Sequence, residues 1–278
     1  WNHLMLGQAK GTKLEFEQSS GSKLWQKTDA ARKSFQGFGT HSSGRVHQLS
    51  IGPQIATSCS WHPPTLWIGI GCERHTSLNL FERALETSLL EVGLAQEAIA
   101  GLASIDRKND EIALNTLAKE RCWPIRYFPA EALAKVPVPN PSKPVEAEMG
   151  TTSVAEAASL LAAQEGGALL QSKRIYHSAI DERGAITIAI AEARKPFAPQ
   201  KGELHLLGSG PGELSFLTQD ARFALERCVV WVGYSLYLDI LEPIRRPDQV
   251  RIDGELTREL DRCTEALDLA QQGASVAL

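Results

Sequence analysis

A glycine-rich turn, Gly208-Ser209-Gly210-Pro211-Gly212, has residue types that indicate ligand binding. Glycines let a backbone turn sharply and approach a ligand closely, and Pro211 fixes one dihedral angle, so the turn is rigid. Glu213 stands where a dinucleotide fingerprint carries its third glycine, and no Gly-Lys-Ser/Thr follows to make a Walker A loop. A plain strand-to-helix turn accounts for one glycine better than for three around a proline.

A second turn, Gly69-Ile70-Gly71-Cys72-Glu73-Arg74-His75-Thr76-Ser77, follows a compact apolar run. The charged residues 106–111 follow another such run. Arg74, Arg107 and Lys108 therefore fall at the carboxyl ends of predicted strands, where open α/β sheets bind their ligands. Cations and helix N-termini at such a position suit a ligand that bears carboxylates, and the alternative is an ordinary solvated surface charge.

The composition of the 278 residues excludes several classes of function. A net charge of -4 argues against nucleic acid as a partner, because phosphate binding requires a basic face. The five cysteines contain no C-x-x-C pair and the seven histidines form no H-E-x-x-H cluster, so we expect reduced thiols and no metal site. No apolar run approaches the roughly 20 residues of a membrane span, and we expect a globular cytoplasmic protein.

Alternating strand and helix patterns predict an α/β fold with a largely parallel sheet. The predicted strands are 65–70, 99–105, 125–128, 168–174, 185–191, 203–207, 228–232 and 274–278. The predicted helices begin after residue 77 and cover about 110–120, 153–163, 217–226 and 256–270. Thr76 or Ser77 would cap the first of these helices, and Ser153 with Glu156 reads as a capping box for the helix that follows it.

The domain boundaries follow from changes in composition. Residues 1–63 are polar, with scattered aromatics such as Trp25, Phe35 and Phe38, and are predicted to be the remnant of a preceding domain plus a linker. A first domain covers 64–193, residues 194–202 form a linker rich in proline and lysine, and 203–278 form the start of a second domain. The chain begins with Trp1 and ends in an apolar run, so we expect a segment of a longer protein.

The second glycine turn carries the more familiar pattern. Together with the strand at 228–232 and Gly233-Tyr234-Ser235-Leu236-Tyr237, the turn at 208–212 resembles the N-terminal part of the tetrapyrrole methylases, and among them precorrin-3B C17-methyltransferase. The resemblance implies that S-adenosylmethionine is the cofactor and that Gly208, Gly210, Pro211, Gly212 and Tyr234 bind it. It covers only part of the methylase, so the donor site is incomplete, the chain alone is expected to lack methyltransferase activity, and a homodimer through this domain is expected.

Four motifs upstream occur in the order of a second family. They are the turn at 69–77, the segment 101–111, Pro139-Asn140-Pro141-Ser142 and Gly150-Thr151-Thr152-Ser153 with the residues that follow, and together they resemble the C-terminal domain of cobalt-precorrin-5A hydrolase. His75 stands where that loop usually carries glycine, and Glu73 where a basic residue is common. The expected fold is a hydrolase-like three-layer α/β domain followed by a partial tetrapyrrole-methylase α/β domain.

The two resemblances imply a fragment of a bifunctional enzyme of cobalamin biosynthesis that acts on a corrinoid or precorrin. Its reactions would be hydrolysis of the cobalt-precorrin-5A lactone with release of acetaldehyde, and methylation of precorrin-3B at C17. The predicted substrate-binding residues are Arg74, Thr76, Ser77, Ser142, Thr151 and Ser153. The predicted catalytic residues are Asp106, Lys108 and Glu111, since lactone hydrolysis needs a base and a cation near the oxyanion. Cys72 is a weaker candidate for a nucleophile.

Two other functions remain open from the sequence. A corrinoid-binding or carrier module without catalytic activity would explain the absence of an unmistakable catalytic dyad. A nucleotide-cofactor oxidoreductase is suggested only by the two glycine turns and lacks the acidic ribose-binding residue at the proper spacing.

Overall fold

A computed structural model describes Leu6 and residues 13–34, 46–56, 59–180 and 182–278. The described residues form two compact units, the first within 16–21 and 47–196 and the second within 11–15, 22–46 and 197–278. The boundary between residues 196 and 197 lies inside the segment predicted as a linker. None of the helices in these ranges has the length and apolar character that a bilayer crossing requires.

The strands and helices follow one another as follows. The strands are β1 Lys13–Gln18, β2 Val46–Ile51, β3 Cys59–Trp61, β4 Leu66–Cys72, β5 Ile99–Ile105, β6 Ile125–Phe128, β7 Ala168–His177, β8 Ala185–Glu192, β9 Leu204–His205, β10 Val230–Tyr234, β11 Val250–Gly254 and β12 Val276–Ala277. The α-helices are α1 Asp29–Ser34, α2 Leu78–Glu91, α3 Ile112–Glu120, α4 Ala130–Leu133, α5 Lys143–Met149, α6 Val154–Ala163, α7 Gln219–Arg227, α8 Ser235–Leu241 and α9 Glu259–Gln271. Short 3-10 helices lie at Leu24–Lys27, Gln96–Ala98, Asp106–Lys108, Leu214–Phe216 and Glu242–Ile244.

The first unit is built on a five-stranded sheet in the order β6-β5-β4-β8-β7. β5 is buried along its whole length, as expected for an apolar strand with helices on both faces. Ile68 and Ile70 of β4 pack into one core with α2 and α3. The other face, where Gly69 lies, is covered by α6. The unit therefore has the predicted three layers.

The prediction of a largely parallel sheet is wrong for this unit. β4 pairs in parallel with β5, and β5 with β6, but β8 is antiparallel to both β4 and β7. The reason is that β7 and β8 are joined by a short connection, which suffices for a hairpin, whereas a parallel pair needs a long crossover. β4 thus has one parallel neighbour, β5, and one antiparallel neighbour, β8.

Gly69 sets the distance between β4 and α6. A Cβ atom added at Gly69 would lie 1.9 Å from the carbonyl oxygen of Ala155, whereas one added at Gly71 would have its nearest neighbour at 3.7 Å. The face of α6 toward the sheet consists of small residues, which include Ala155, Ala158 and Ser159. Small side chains on both elements allow this close approach of helix to strand.

The second unit has a sheet in which every pairing is parallel, in the order β11-β10-β12-β9. Trp231 of β10 packs with α7 and α8 in one core, while Val230 and Val232 pack with α9 in another. Alternate residues of β10 therefore serve opposite faces of the sheet. The fold of this unit is α/β, as predicted, although β11 and α8 were not predicted from the sequence.

The segment 1–63 contains more regular structure than its composition suggests. Its described residues form the sheet β1-β2-β3, in which β2 and β3 are parallel. Trp25 lies in the first 3-10 helix, and Phe35 and Phe38 lie outside the described residues. The assignment of this segment as a remnant and linker stays a prediction.

Candidate functional site

A cavity of about 440 Å³ opens at the edge of the first unit's sheet where β4 and β5 end. Gly71 and Cys72 close β4, and Ile105 closes β5, and all three line the cavity. The start of β8 borders the same edge, because Ile186 is paired with Cys72 in the antiparallel ladder. The rest of the wall comes from β7, from α5 and from the start of α6. This is the position at which open α/β sheets bind ligands.

Lys108 is the buried cation of the cavity. It ends the 3-10 helix that follows β5, is only 4% exposed and lines the cavity. Its ammonium group has no hydrogen bond or ion pair with any residue that the structure describes. Because a buried charge without a partner is unfavourable, a cavity with this residue in its wall is suited to an anion.

The two acids predicted to act with Lys108 differ in their surroundings. Asp106 is exposed and does not line the cavity, whereas Glu111 is 4% exposed and lies at the start of α3. Lys108 and Glu111 both act electrostatically on the thiol of Cys72, in opposite directions. Glu111 is therefore near the cavity end of β4, although it is not part of the cavity wall.

Arg74 also lines the cavity, but its guanidinium group is already engaged. It donates to Asp110 and, over 2.7 Å, to the carbonyl oxygen of Arg107. The bond from Arg74 lowers the pKa of the Asp110 carboxyl group. Arg107 in turn donates over 3.1 Å to the carbonyl oxygen of Glu148 in α5. The two arginines thus hold the loops around the cavity together.

Cys72 is unsuited to nucleophilic catalysis. Burial raises the pKa of its thiol to about 11, against the opposing effects of Lys108 and Arg74. The reactive species is the thiolate, which at neutral pH would be a very small fraction of this residue. All five cysteines are free.

The hydroxyl groups of Thr76 and Ser77 form local hydrogen bonds at the start of α2. The hydroxyl of Ser77 accepts from the N–H of Leu80 over 3.2 Å, so Ser77 caps this helix as predicted. The hydroxyl of Thr76 donates over 2.9 Å to the carbonyl oxygen of Glu73. Neither residue lines the cavity, which assigns them structural work. Their part in substrate binding stays a prediction.

His75 has a backbone φ of 60°, in the left-handed region. Glycine adopts this conformation at low energetic cost, and other residues adopt it under strain. The backbone at this position therefore favours glycine, in agreement with the glycine that the resemblance implies here.

The predicted capping box at α6 is wrong. Ser153 makes no cap hydrogen bond, and the carboxylate of Glu156 is turned elsewhere, where it accepts from the backbone N–H of Asn140 and of Lys173 and from the side-chain amide of Asn140. The local spacing matched a capping box, but long-range donors compete for this fully buried carboxylate. Glu156 thereby fixes the loop before α5 against β7.

Of the predicted residues in this part of the chain, Ser142 and Ser153 line the cavity and Thr151 does not. The hydroxyl groups of Thr151 and Ser153 are both buried and form no hydrogen bond. Sequence reasoning missed further wall residues, namely Lys173, Ile175 and His177 of β7 and Thr187 of β8. Their signal was weak, because β7 carries a run of four polar residues, 171–174, between apolar ones and lacks a regular alternation.

The second unit has a cavity of its own, of about 370 Å³, with mostly apolar walls. Gly208, Tyr234 and Tyr237 line it, and the two tyrosine rings meet edge to face with centroids 5.7 Å apart. Gly210, Pro211 and Gly212 belong to the same turn but are not part of the wall. The φ angles of Gly210 and Gly212 are 72° and 115°, so the turn requires glycine at both positions.

Comparison with known proteins decides the family. Residues 66–191 match the family described as Cobalamin synthesis G C-terminus. Protein CobE of Sinorhizobium sp is 31% identical over 110 residues, which are 39% of this chain and 71% of CobE. The chain belongs to this family. The matched range contains the whole five-stranded sheet apart from the last residue of β8, and all residues of the first cavity.

Two further relatives are enzymes of the cobalamin pathway. The cobalt-precorrin-5A hydrolase of Priestia megaterium is 31% identical over 101 residues, 36% of this chain and 27% of that enzyme. The probable cobalt-factor III C(17)-methyltransferase of Salmonella typhimurium is 37% identical over 75 residues, 27% of this chain and 31% of that enzyme. The chain thus spans less than a third of either enzyme, and it combines a segment related to the hydrolase with one related to the methyltransferase.

No group of three or more histidine, cysteine, aspartate or glutamate side chains that could hold a metal ion occurs among the residues with described positions. Among the wall residues of the first cavity that the structure describes, Ser153 has a buried hydroxyl without a hydrogen-bond partner, and the ammonium of Lys108 forms no hydrogen bond or ion pair.

Proposed function

We propose that the first unit is the catalytic part of a cobalt-precorrin-5A hydrolase, which opens the ring-A lactone of a polycarboxylate macrocycle and releases acetaldehyde. The single observation that supports it most is the partnerless Lys108 in the cavity where β4 and β5 end. A cavity of about 440 Å³ holds one edge of such a macrocycle and leaves the remainder outside.

Lys108 would stabilise the charge that develops during hydrolysis. The oxygen of water adds to the lactone carbonyl carbon and the ring C–O bond breaks. The released oxygen takes one proton of the water and becomes a hydroxyl group, and the new carboxylic acid loses the other proton to solvent and becomes a carboxylate. A base then removes the proton of this hydroxyl group. The bond between the carbon that bears the hydroxyl oxygen and the macrocycle breaks, and the C=O bond of acetaldehyde forms. The electron pair of the broken bond stays with the macrocycle. Both steps pass through an oxyanion, and a fixed ammonium in a site shielded from water stabilises such a charge.

We assign the base to Glu111 rather than to Asp106. Glu111 is buried near the cavity end of β4, and a base must lie within hydrogen-bond reach of the proton that it removes, directly or through one water. Asp106 is exposed, and neither acid lines the cavity, so the buried Glu111 would act through one water. Cys72 takes no part, since its thiol holds its proton.

The second unit is proposed to be the N-terminal part of a C17-methyltransferase that uses S-adenosylmethionine. The apolar cavity fits part of this cofactor, because a Cβ at Gly208 would meet open space and the backbone there is accessible. Gly208, Ser209 and Tyr234 would hold it. When bound, the cofactor supplies a methyl group on a sulfonium, and the residues of the chain contribute alignment rather than acid or base groups. Gly210, Pro211 and Gly212 would fix the conformation of the turn without contacting the cofactor.

The test for the first unit is acetaldehyde release from a cobalt-precorrin-5A lactone by the full chain, followed with a coupled alcohol dehydrogenase. We expect Lys108→Met to lower kcat about 100-fold to 1000-fold, as for removal of an oxyanion donor elsewhere. Lys119→Met, at an exposed position of α3, is the control and should leave kcat unchanged. If the wild-type chain binds the lactone without turnover, it is a corrinoid-binding carrier and the proposal is wrong.

A further inference from the structure

The N-terminus of α6 faces the first cavity without a cap. Ser153, Val154 and Ala155 line the cavity, and the side chain of Ser153 accepts no hydrogen bond from the first turn of the helix. The first N–H groups of any helix have no acceptor within the helix and carry a partial positive charge. In α6, which has ten residues, the usual intramolecular solution is missing at the point where the helix meets the cavity.

The hydroxyl group of Ser153 is an independent sign that a ligand belongs there. Ser153 is 1% exposed and its Oγ forms no hydrogen bond, although a buried hydroxyl without a partner is destabilising. Glu156, the other residue that commonly satisfies a helix start, is held by Asn140 and Lys173 and cannot turn back. Neither Ser153 nor Glu156 therefore supplies an acceptor to the start of α6.

The charges around the cavity favour a carboxylate at this point. Lys108 lies in the same wall, buried and without a partner, whereas Lys173 is occupied by the carbonyl oxygen of Asn140. The acidic wall residues, Glu73 and Glu148, belong to the turn after β4 and to α5 rather than to α6. An anion at the start of α6 would meet donors on that element, in a cavity whose wall also contains Lys108.

We infer that the N-terminus of α6 and the hydroxyl of Ser153 form a subsite for one peripheral carboxylate of the macrocycle, separate from the lactone that Lys108 serves. This deepens the proposed function and rests on it for the identity of the macrocycle. The carboxylate would accept hydrogen bonds from the Ser153 hydroxyl and from the first-turn N–H groups. It would thereby fix which edge of the macrocycle enters the cavity.

The experiment measures binding of uroporphyrin, a tetrapyrrole with eight carboxylates, to the full chain by fluorescence quenching. We expect Ser153→Ala to raise Kd about ten-fold, as for loss of a hydrogen bond to a charged group. The same variant should leave the melting temperature of the free chain unchanged or raised, because the hydroxyl has no partner in the structure. Thr65→Val is the matched control, since Thr65 is another buried hydroxyl without a partner but does not line the cavity. It should leave Kd unchanged.

Several results would overturn the subsite. A lower melting temperature of Ser153→Ala with an unaltered Kd would make the hydroxyl structural. Failure of the wild-type chain to bind uroporphyrin at millimolar concentration would also contradict the subsite. Competition by millimolar inorganic phosphate that depends on Ser153 would assign the subsite to free phosphate instead. These results are distinguishable from failure of the proposed hydrolase, which is read as acetaldehyde release and depends on Lys108.

Discussion

Helices α2 and α6 cover opposite faces of one sheet, and each begins just after a run of hydroxyl residues. At α2, the hydroxyl groups of Thr76 and Ser77 are both engaged with nearby backbone groups. At α6, those of Thr151 and Ser153 have no partner. The same residue types therefore form hydrogen bonds at one helix start and have no partner at the other. The difference shows that a hydroxyl's partner, rather than its presence in a motif, separates a cap from a candidate ligand group.

The largest effect is expected where α6 touches the sheet. Gly69→Ala would put a methyl group against the carbonyl oxygen of Ala155 and force α6 away from β4. We expect the free energy of unfolding, measured by denaturant titration, to fall by at least about 3 kcal/mol, at the upper end of overpacking effects.

Gly71→Ala is the matched control for that exchange, because it lies on the same strand and face with its nearest neighbour at 3.7 Å. It should change the free energy of unfolding by less than about 1 kcal/mol. Equal effects from the two variants would contradict the idea that a close contact of α6 with β4 positions the helix start.

An exchange at the start of α2 sharpens the comparison directly. Ser77→Ala removes a hydrogen-bonded cap and should lower the free energy of unfolding by about 1 kcal/mol. Ser153→Ala removes a hydroxyl without a partner and should not lower it. The two values come from the same denaturant titration. A loss of similar size at both positions would mean that the two helix starts are equivalent.

A smaller effect is expected in the turn that leads into α2. His75→Gly should raise the free energy of unfolding by about 0.5 to 1 kcal/mol, since φ at this residue is 60°. Glu73→Gly, in the same turn but without a positive φ, should lower it slightly through the entropy of the unfolded chain. Thermal unfolding of both variants measures these changes. A lower free energy of unfolding for His75→Gly would show that the histidine side chain compensates for the strain.

The elements of the first unit were predictable where a single apolar run decides them. The predicted bounds of β5 and β6 agree with the structure, because the short runs at 99–105 and 125–128 have no competing interpretation, although only β5 is fully buried. The direction of β8 was not predicted, since an apolar run does not encode the direction of the strand. The direction of β8 could have been predicted from the short connection between β7 and β8, because a short connection favours an antiparallel pair.

The candidate site was predictable only in part. Position after a strand singled out Lys108 and Arg74, but their difference depends on which partner lies within hydrogen-bond distance in space, and Asp110 forms its hydrogen bond with Arg74. Glu156 was assigned to a local cap because Asn140 and Lys173 are distant in sequence or lie on another strand. Helix α5 was missed because it begins beside Pro144, in a segment rich in proline.

The antiparallel pairing of β4 with β8 has a consequence for how the first unit forms. Leu66, the first residue of β4, is paired with Glu192, the last residue of β8. This pairing closes a loop that is almost as long as the unit. Contacts so far apart in sequence slow folding, because chain entropy is lost before the contact is gained. On a ribosome, a nascent chain that has not yet reached Ala185 would lack the opposite wall of the cavity. The anion site is therefore completed among the last steps of folding.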